Sequence, residues 1–252
     1  MRIRTQIIVG TAALAAVLAA STALGGGTTR LTRTDGLPNG SEDVNLDPAN
    51  FSTRITNRYW PMKPGARWVY RETDPSGASR RVVVMVTNRT KQLANGVTAR
   101  IVRDTVTENG RFVEDTIDLY AQDRAGNVWY LGENTKEYEN GKLNSTAGSF
   151  EAGVDGAQAG IAMPAHPKPG LRYRQEYYAG QAEDRAEIVA VGQQAQAPAG
   201  HYKSVVMTRD LNPLEPTHVE YKFYAPGVGP VLAIGVSGSS DREELLRVSR
   251  VG

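Results

Sequence analysis

The sequence predicts an all-β protein, a single domain built on one curved antiparallel sheet that forms a barrel or half-barrel of about ten strands. Three observations predict it. From Ala66 onward, short segments alternate apolar and polar residues with a period of two. Asn95-Gly96, Asn109-Gly110 and Asn140-Gly141 are dipeptides that accept the left-handed backbone of a tight hairpin. No stretch longer than about ten residues carries a helical stripe.

The N-terminus stands apart from that sheet. Arg2 and Arg4, the apolar run Ile7 to Ala20 and then Ser21-Thr22-Ala23 have the layout of a secretion signal. An apolar run of roughly fourteen residues is shorter than the ~20 that span a bilayer core, so a cleaved signal over 1–23 is expected, with no stable transmembrane anchor. The expected location is secreted or periplasmic, in the cell envelope. Residues 24–50, rich in Gly, Thr, Asp and Asn, have little to bury and read as a flexible tether. The β-rich domain is then 51–252, a size that usually makes one domain.

Ala66 to Glu72 places Trp68 and Tyr70 on one face, and Asp74-Pro75-Ser76-Gly77 turns it into Arg80 to Thr87 with its valines. Two Asn-Gly turns bracket Val97 to Thr107. Arg111 to Gln122 follows, read with Val113, Ile117 and Leu119 inward, and Asp123 to Gly126 turns into Asn127 to Glu133. Further strands are expected at 171–179, 183–192, 201–210, 217–225, 229–236 and 242–250, although Glu243 to Arg247 also fits a short helix. Residues 139–170, dotted with Gly and Pro, read as one long loop, an element that is usually functional or disordered.

Composition excludes several classes of function. Arg2 and Arg4 account for the whole formal charge of +2, leaving 27 basic against 27 acidic residues, so nucleic acid has no electrostatic footprint here. Cysteine is absent, which removes both a disulfide framework and a lipidated cysteine. His166, His201 and His218 lack ligand spacing, and no calcium loop, serine elbow or phosphate loop is present, so no metal or cofactor is expected.

The candidate site residues gather late in the chain. Nine of the eleven tyrosines fall at or after Tyr120 and with Trp129 suit the wall of a cavity. The expected ligand-binding set is Trp129, Tyr130, Glu133, Glu151, Asp155, Arg174, Glu176 and Tyr178. Arg172 to Tyr178 alternates Tyr173, Gln175 and Tyr177 against Arg174, Glu176 and Tyr178, and Thr217 to Tyr224 aligns His218, Glu220, Lys222 and Tyr224. Were the protein an enzyme, Glu151, Asp155, His166 and Glu176 would carry the proton transfers, as paired carboxylates do in glycoside cleavage. Solvated strand faces and turn caps account for the same residues.

Two passages frame the domain: Tyr59-Trp60-Pro61-Met62-Lys63-Pro64-Gly65-Ala66-Arg67-Trp68-Val69-Tyr70 and Tyr221-Lys222-Phe223-Tyr224-Ala225-Pro226-Gly227-Val228-Gly229-Pro230-Val231. Over about 51–236 the chain resembles a family of secreted bacterial β-rich proteins with no assigned activity. The resemblance implies a curved sheet similar to that of periplasmic lipoprotein carriers, and it implies no catalytic residues. The expected function is an exported, non-catalytic protein binding an apolar or glycan-like small molecule, or an envelope component, in the concavity of its sheet. The alternative is a secreted acid/base hydrolase or lyase acting on polysaccharide or another polymer. Oligomeric state is not legible.

Overall fold

The computed structural model describes residues 36–249. The expected signal and residues 24–35 of the expected tether lie outside the described residues. After a 3-10 turn at Pro48–Asn50 come sixteen strands. They are β1 Phe51–Ser52, β2 Arg67–Thr73, β3 Ser79–Gln92, β4 Thr98–Glu108, β5 Arg111–Asp123, β6 Val128–Glu139, β7 Lys142–Ser145 and β8 Phe150–Glu151. They continue as β9 Gln158–Met163, β10 Arg172–Arg174, β11 Glu176–Tyr177, β12 Arg185–Ala197, β13 Gly200–Leu211, β14 Val219–Ala225, β15 Gly229–Ser237 and β16 Arg242–Ser249.

One antiparallel sheet contains them all, in the order β10, β12, β13, β14, β15, β16, β2, β3, β4, β5, β6, β9, β11. Its two outermost strands, β10 and β11, are separated in the chain by Gln175 alone, so a single kinked segment closes the barrel. Arg172 to Arg174 pairs with β12, and Glu176-Tyr177 pairs with β9. Gly160 permits the crossing, because a Cβ there would lie 2.3 Å from the Gln175 carbonyl. The hairpins form where the Asn-Gly pairs predict them: Asn109 and Gly110 have φ of 51° and 78°, and Asn140 and Gly141 have 52° and 77°.

Three expectations need correction. Residues 139–170 are not one long loop: β7 and β8 pair with β6, and β9 is a stave of the barrel. From Gly36 on, the segment read as a tether is laid against the barrel. Arg174 Nη1 donates to the carbonyls of Gly40 (2.7 Å) and Glu42 (2.6 Å), while Leu37, Val44 and Leu46 pack on the core. Composition weighs apolar area and misses such backbone acceptors. Strand β5 is inverted: Glu114, Thr116, Asp118 and Tyr120 are buried on the lumenal face, and Ile117 and Leu119 face outward. Arg242–Ser249 is a strand and not the short helix that Glu243 to Arg247 also fits.

Antiparallel pairing gives the barrel two unlike ends. Trp60 packs against Tyr120 and Tyr224 at centroid distances of 5.9 and 5.5 Å, with Ile55, Met62, Ala66 and Trp68 buried around it. This apolar end is crossed by the segment before β2 and by the β12–β13 hairpin. That hairpin bends through three bulges so that Ala199 N–H reaches the Leu245 carbonyl at 2.9 Å. The opposite end, where the β2–β3, β4–β5 and β6–β7 turns lie, carries the site.

Candidate functional site

Carboxyl groups fill the lumen at that second end. Alternation puts Glu72 of β2, Asp104 of β4, Asp118 of β5 and Glu133 of β6 on the inner face, each 5 % exposed or less. Strands β13, β14 and β16 add Asp210, Glu220 and Glu243, and Glu176 enters from β11. Four cross-strand pairs set acid directly opposite acid: Glu72 and Glu243, Glu114 and Glu137, Asp118 and Glu133, Asp210 and Glu220. Like charges so placed destabilise a sheet, and burial removes the water that would screen them.

Two cations relieve part of this load. Lys222 Nζ lies 3.0 Å from Asp210 and 3.2 Å from Glu220, and Arg80 Nη1 lies 3.0 Å from Glu72. Burial lowers the affinity of Lys222 for its proton, but the two carboxylates beside it more than offset that, so it holds its charge. The other acids respond the opposite way. Burial pushes Glu72, Asp118 and Glu220 up to about 7. Glu243, Glu133 and Glu176 are raised as well, first by burial and then by the facing Glu72, Asp118 and Asp184 respectively.

Tyr130 shows how a carboxyl pair can be shared. Its hydroxyl lies 2.8 Å from Asp118 Oδ1 and 2.9 Å from Glu133 Oε2. A phenol carries one hydrogen, so it donates to one carboxylate, and the second contact is a hydrogen bond only when the other carboxyl is protonated. Asp118 Oδ2, both oxygens of Glu176 and of Glu243, and the hydroxyls of Tyr120 and Tyr173 are buried without a hydrogen-bond partner.

On the outer wall, a cleft of about 270 Å³ lies beside β5, β6 and β8, lined by Lys91, Ile117, Phe150, Glu151, Asp155 and Tyr178 among others, with Glu133 also contributing. The structure thus brings together four members of the expected set: Glu133, Glu151, Asp155 and Tyr178. Glu151 is anchored there by Lys91 Nζ and by the Ala94 N–H. Gly132 lets β8 approach, since a Cβ on it would lie 2.5 Å from the Phe150 carbonyl. A second hollow of about 450 Å³, between the tips of the β4–β5 and β6–β7 hairpins, is lined by Phe112 and Tyr138 and contains none of the expected residues.

The rest of the set disperses. Trp129 faces outward, with Nε1 donating to Asp123 Oδ2 at 2.8 Å and its ring edge-on to Phe51. Tyr130 lies in the lumen. Arg174 and Glu176 do not share a face as their alternation suggested, because the kink at Gln175 intervenes: Arg174 is held by outer-wall carbonyls, and Glu176 sits among lumenal acids. His166 is exposed beyond the far end of β9, so Glu151, Asp155, His166 and Glu176 do not converge on one point. Glu220, Lys222 and Tyr224 of β14 follow the predicted alternation and are buried in the lumen, while His218 lies just before the strand. Sequence reasoning missed Glu72, Asp104, Asp118 and Glu243, whose alternation reads equally well as a solvated face.

Fold and site together define a nearly closed, single-sheet antiparallel β-barrel with an apolar end and an acidic lumenal end. No family model matches the chain, and no curated protein matches it. A solved structure that matches, titled as a "putative lipoprotein" from Parabacteroides distasonis, is 13% identical with a TM-score of 0.42, over 77% of this chain and 99% of that one. Among the described residues no helix is long and apolar enough to cross a membrane, and no group of three or more His, Asp or Glu is placed to hold a metal ion.

Proposed function

We propose that this is an exported, non-catalytic envelope protein that binds a small, polar, glycan-like ligand in the cleft beside β6 and β8. The carrying observation is that cleft: an aromatic ring, Tyr178, stands with Phe150 beside Glu151 and Asp155. Aromatic walls with a few fixed polar groups suit a sugar, whose hydroxyls donate to carboxylates while its ring face rests on a phenol. The apolar end of the lumen is filled by its own core side chains, which favours the polar alternative over an apolar cargo. Export rests on the Arg2 to Ala23 pattern of the sequence.

The test is a binding screen of envelope glycan fragments against the mature protein. Tyr178→Ala and Asp155→Asn are expected to weaken the best ligand about tenfold each, and Phe112→Ala in the second hollow to leave it unchanged. Wild-type affinity in both cleft variants, or loss with Phe112→Ala, would reject the assignment.

A further inference from the structure

The seam of the barrel is its least paired part. Strand β11 contributes two residues to β9 and β10 three to β12, against the long ladders elsewhere. Glu176 stands at that seam with no measurable exposure and with neither carboxyl oxygen hydrogen-bonded. Beside it, Gln175 Nε2 donates to Asp210 Oδ2 at 3.2 Å, and the backbone N–H of Gln175 donates to the Asp184 carbonyl at 2.7 Å. Tyr173, on the same kinked segment, buries an unpartnered hydroxyl near Asp210.

The charged surroundings of Glu176 come from several elements. Asp184, just before β12, and Glu133 of β6 face it most closely, and Asp118 of β5 stands behind them. On β14, Lys222 is the cation that faces it, already shared between Asp210 of β13 and Glu220. Opposite it on β9 is Ala159, which carries no charge. An ionised Glu176 would therefore sit in a dry site facing three carboxyls and a lysine committed elsewhere, and burying such a charge is far costlier than protonating it.

We propose that the barrel seam is a proton-operated latch: a neutral Glu176 lets β11 seat on β9, and its ionisation releases the β10–β11 segment and opens a way into the acidic lumen. The raised proton affinities of Glu176 and Asp184 agree with this. Because Tyr178 and Ala157, which flank the seam, also line the outer cleft, opening would reshape that cleft. The latch stands whether or not the cleft binds a glycan.

Amide hydrogen exchange of the full mature protein, corrected for intrinsic pH dependence, reads the latch directly. Protection over residues 158–163 and 172–184 is expected to fall at least tenfold between pH 5 and pH 8 while the β3–β4 ladder stays constant. Glu176→Gln, which stays neutral, should keep the pH 5 pattern at pH 8. Should that variant not fold, Asp184→Asn removes a facing charge and is expected to move the opening to higher pH. Equal wild-type protection at the two pH values would overturn the latch. So would recovery of protection at pH 8 on adding calcium or spermidine alone, which would make the occupant a cation instead of a proton.

Discussion

The two ends of this barrel solve the same burial problem with opposite chemistry. At the apolar end Trp60, Tyr120 and Tyr224 interlock, Trp68 Nε1 donates to the Val228 carbonyl at 2.8 Å, and the Tyr70 hydroxyl donates to the Pro230 carbonyl at 3.1 Å. Each polar atom in those two contacts has a neutral partner, so neither contact depends on pH. At the acidic end the strands are equally regular, yet four acid pairs face each other across the ladder. Stability there depends on protons and on two cations, Arg80 and Lys222. One sheet can thus hold a permanent core and a conditional one, and the conditional half is where Glu176, the residue of the proposed latch, sits.

The largest expected effect belongs to the permanent half. Trp60→Ala should cost about 3–5 kcal/mol through the cavity it leaves, by the same amount at pH 5 and pH 8 in urea unfolding. A loss that varied with pH would couple the two ends. Lys222→Met comes next: stranding Asp210 and Glu220 without their cation should cost about 3 kcal/mol at pH 8, and clearly less at pH 5, where Glu220, raised to about 7, is protonated. Identical losses at both pH values would show that the lysine acts by packing.

Glu243→Gln is expected to stabilise the protein by about 1–2 kcal/mol at pH 8 and to change little at pH 5, since it removes a carboxyl facing Glu72 that the folded state holds only with a proton. Destabilisation at pH 8 would mean that the ionised form has a partner. Arg71→Ala on the outer wall should change stability least, by under about 1 kcal/mol, because its pair with Glu244 at 2.8 Å is solvent-screened. A larger loss would move weight from the lumen to the surface.

Local rules made the staves of the barrel legible and left its closure hidden. Turn chemistry located the Asn109-Gly110 and Asn140-Gly141 hairpins to the residue, because left-handed backbone is a property of two residues. Closure at Gln175 depends on a close backbone approach to Gly160 of β9, a tertiary contact that local propensity does not encode. The inversion of β5 has the same origin: Val113, Ile117 and Leu119 look like a core face until β8 and the cleft are found outside them. As for the site, alternation grouped Glu220, Lys222 and Tyr224 correctly. It could not tell that Asp118 and Glu243 point into a lumen, since an acid on alternate positions ordinarily faces water.

The sign of the pH dependence follows from the lumenal acids. Glu72, Asp118 and Glu220 titrate near 7 when folded and in the ordinary carboxylate range when unfolded. Between those values the folded state binds more protons, so stability is fullest in acid, falls as pH rises through the window, and levels off above it. The direct test of a barrel with one conditional end is the unfolding free energy of the mature protein in urea at pH 5 and pH 8. The account predicts a value lower at pH 8 by about 3 kcal/mol or more. A value equal or higher at pH 8 would contradict it.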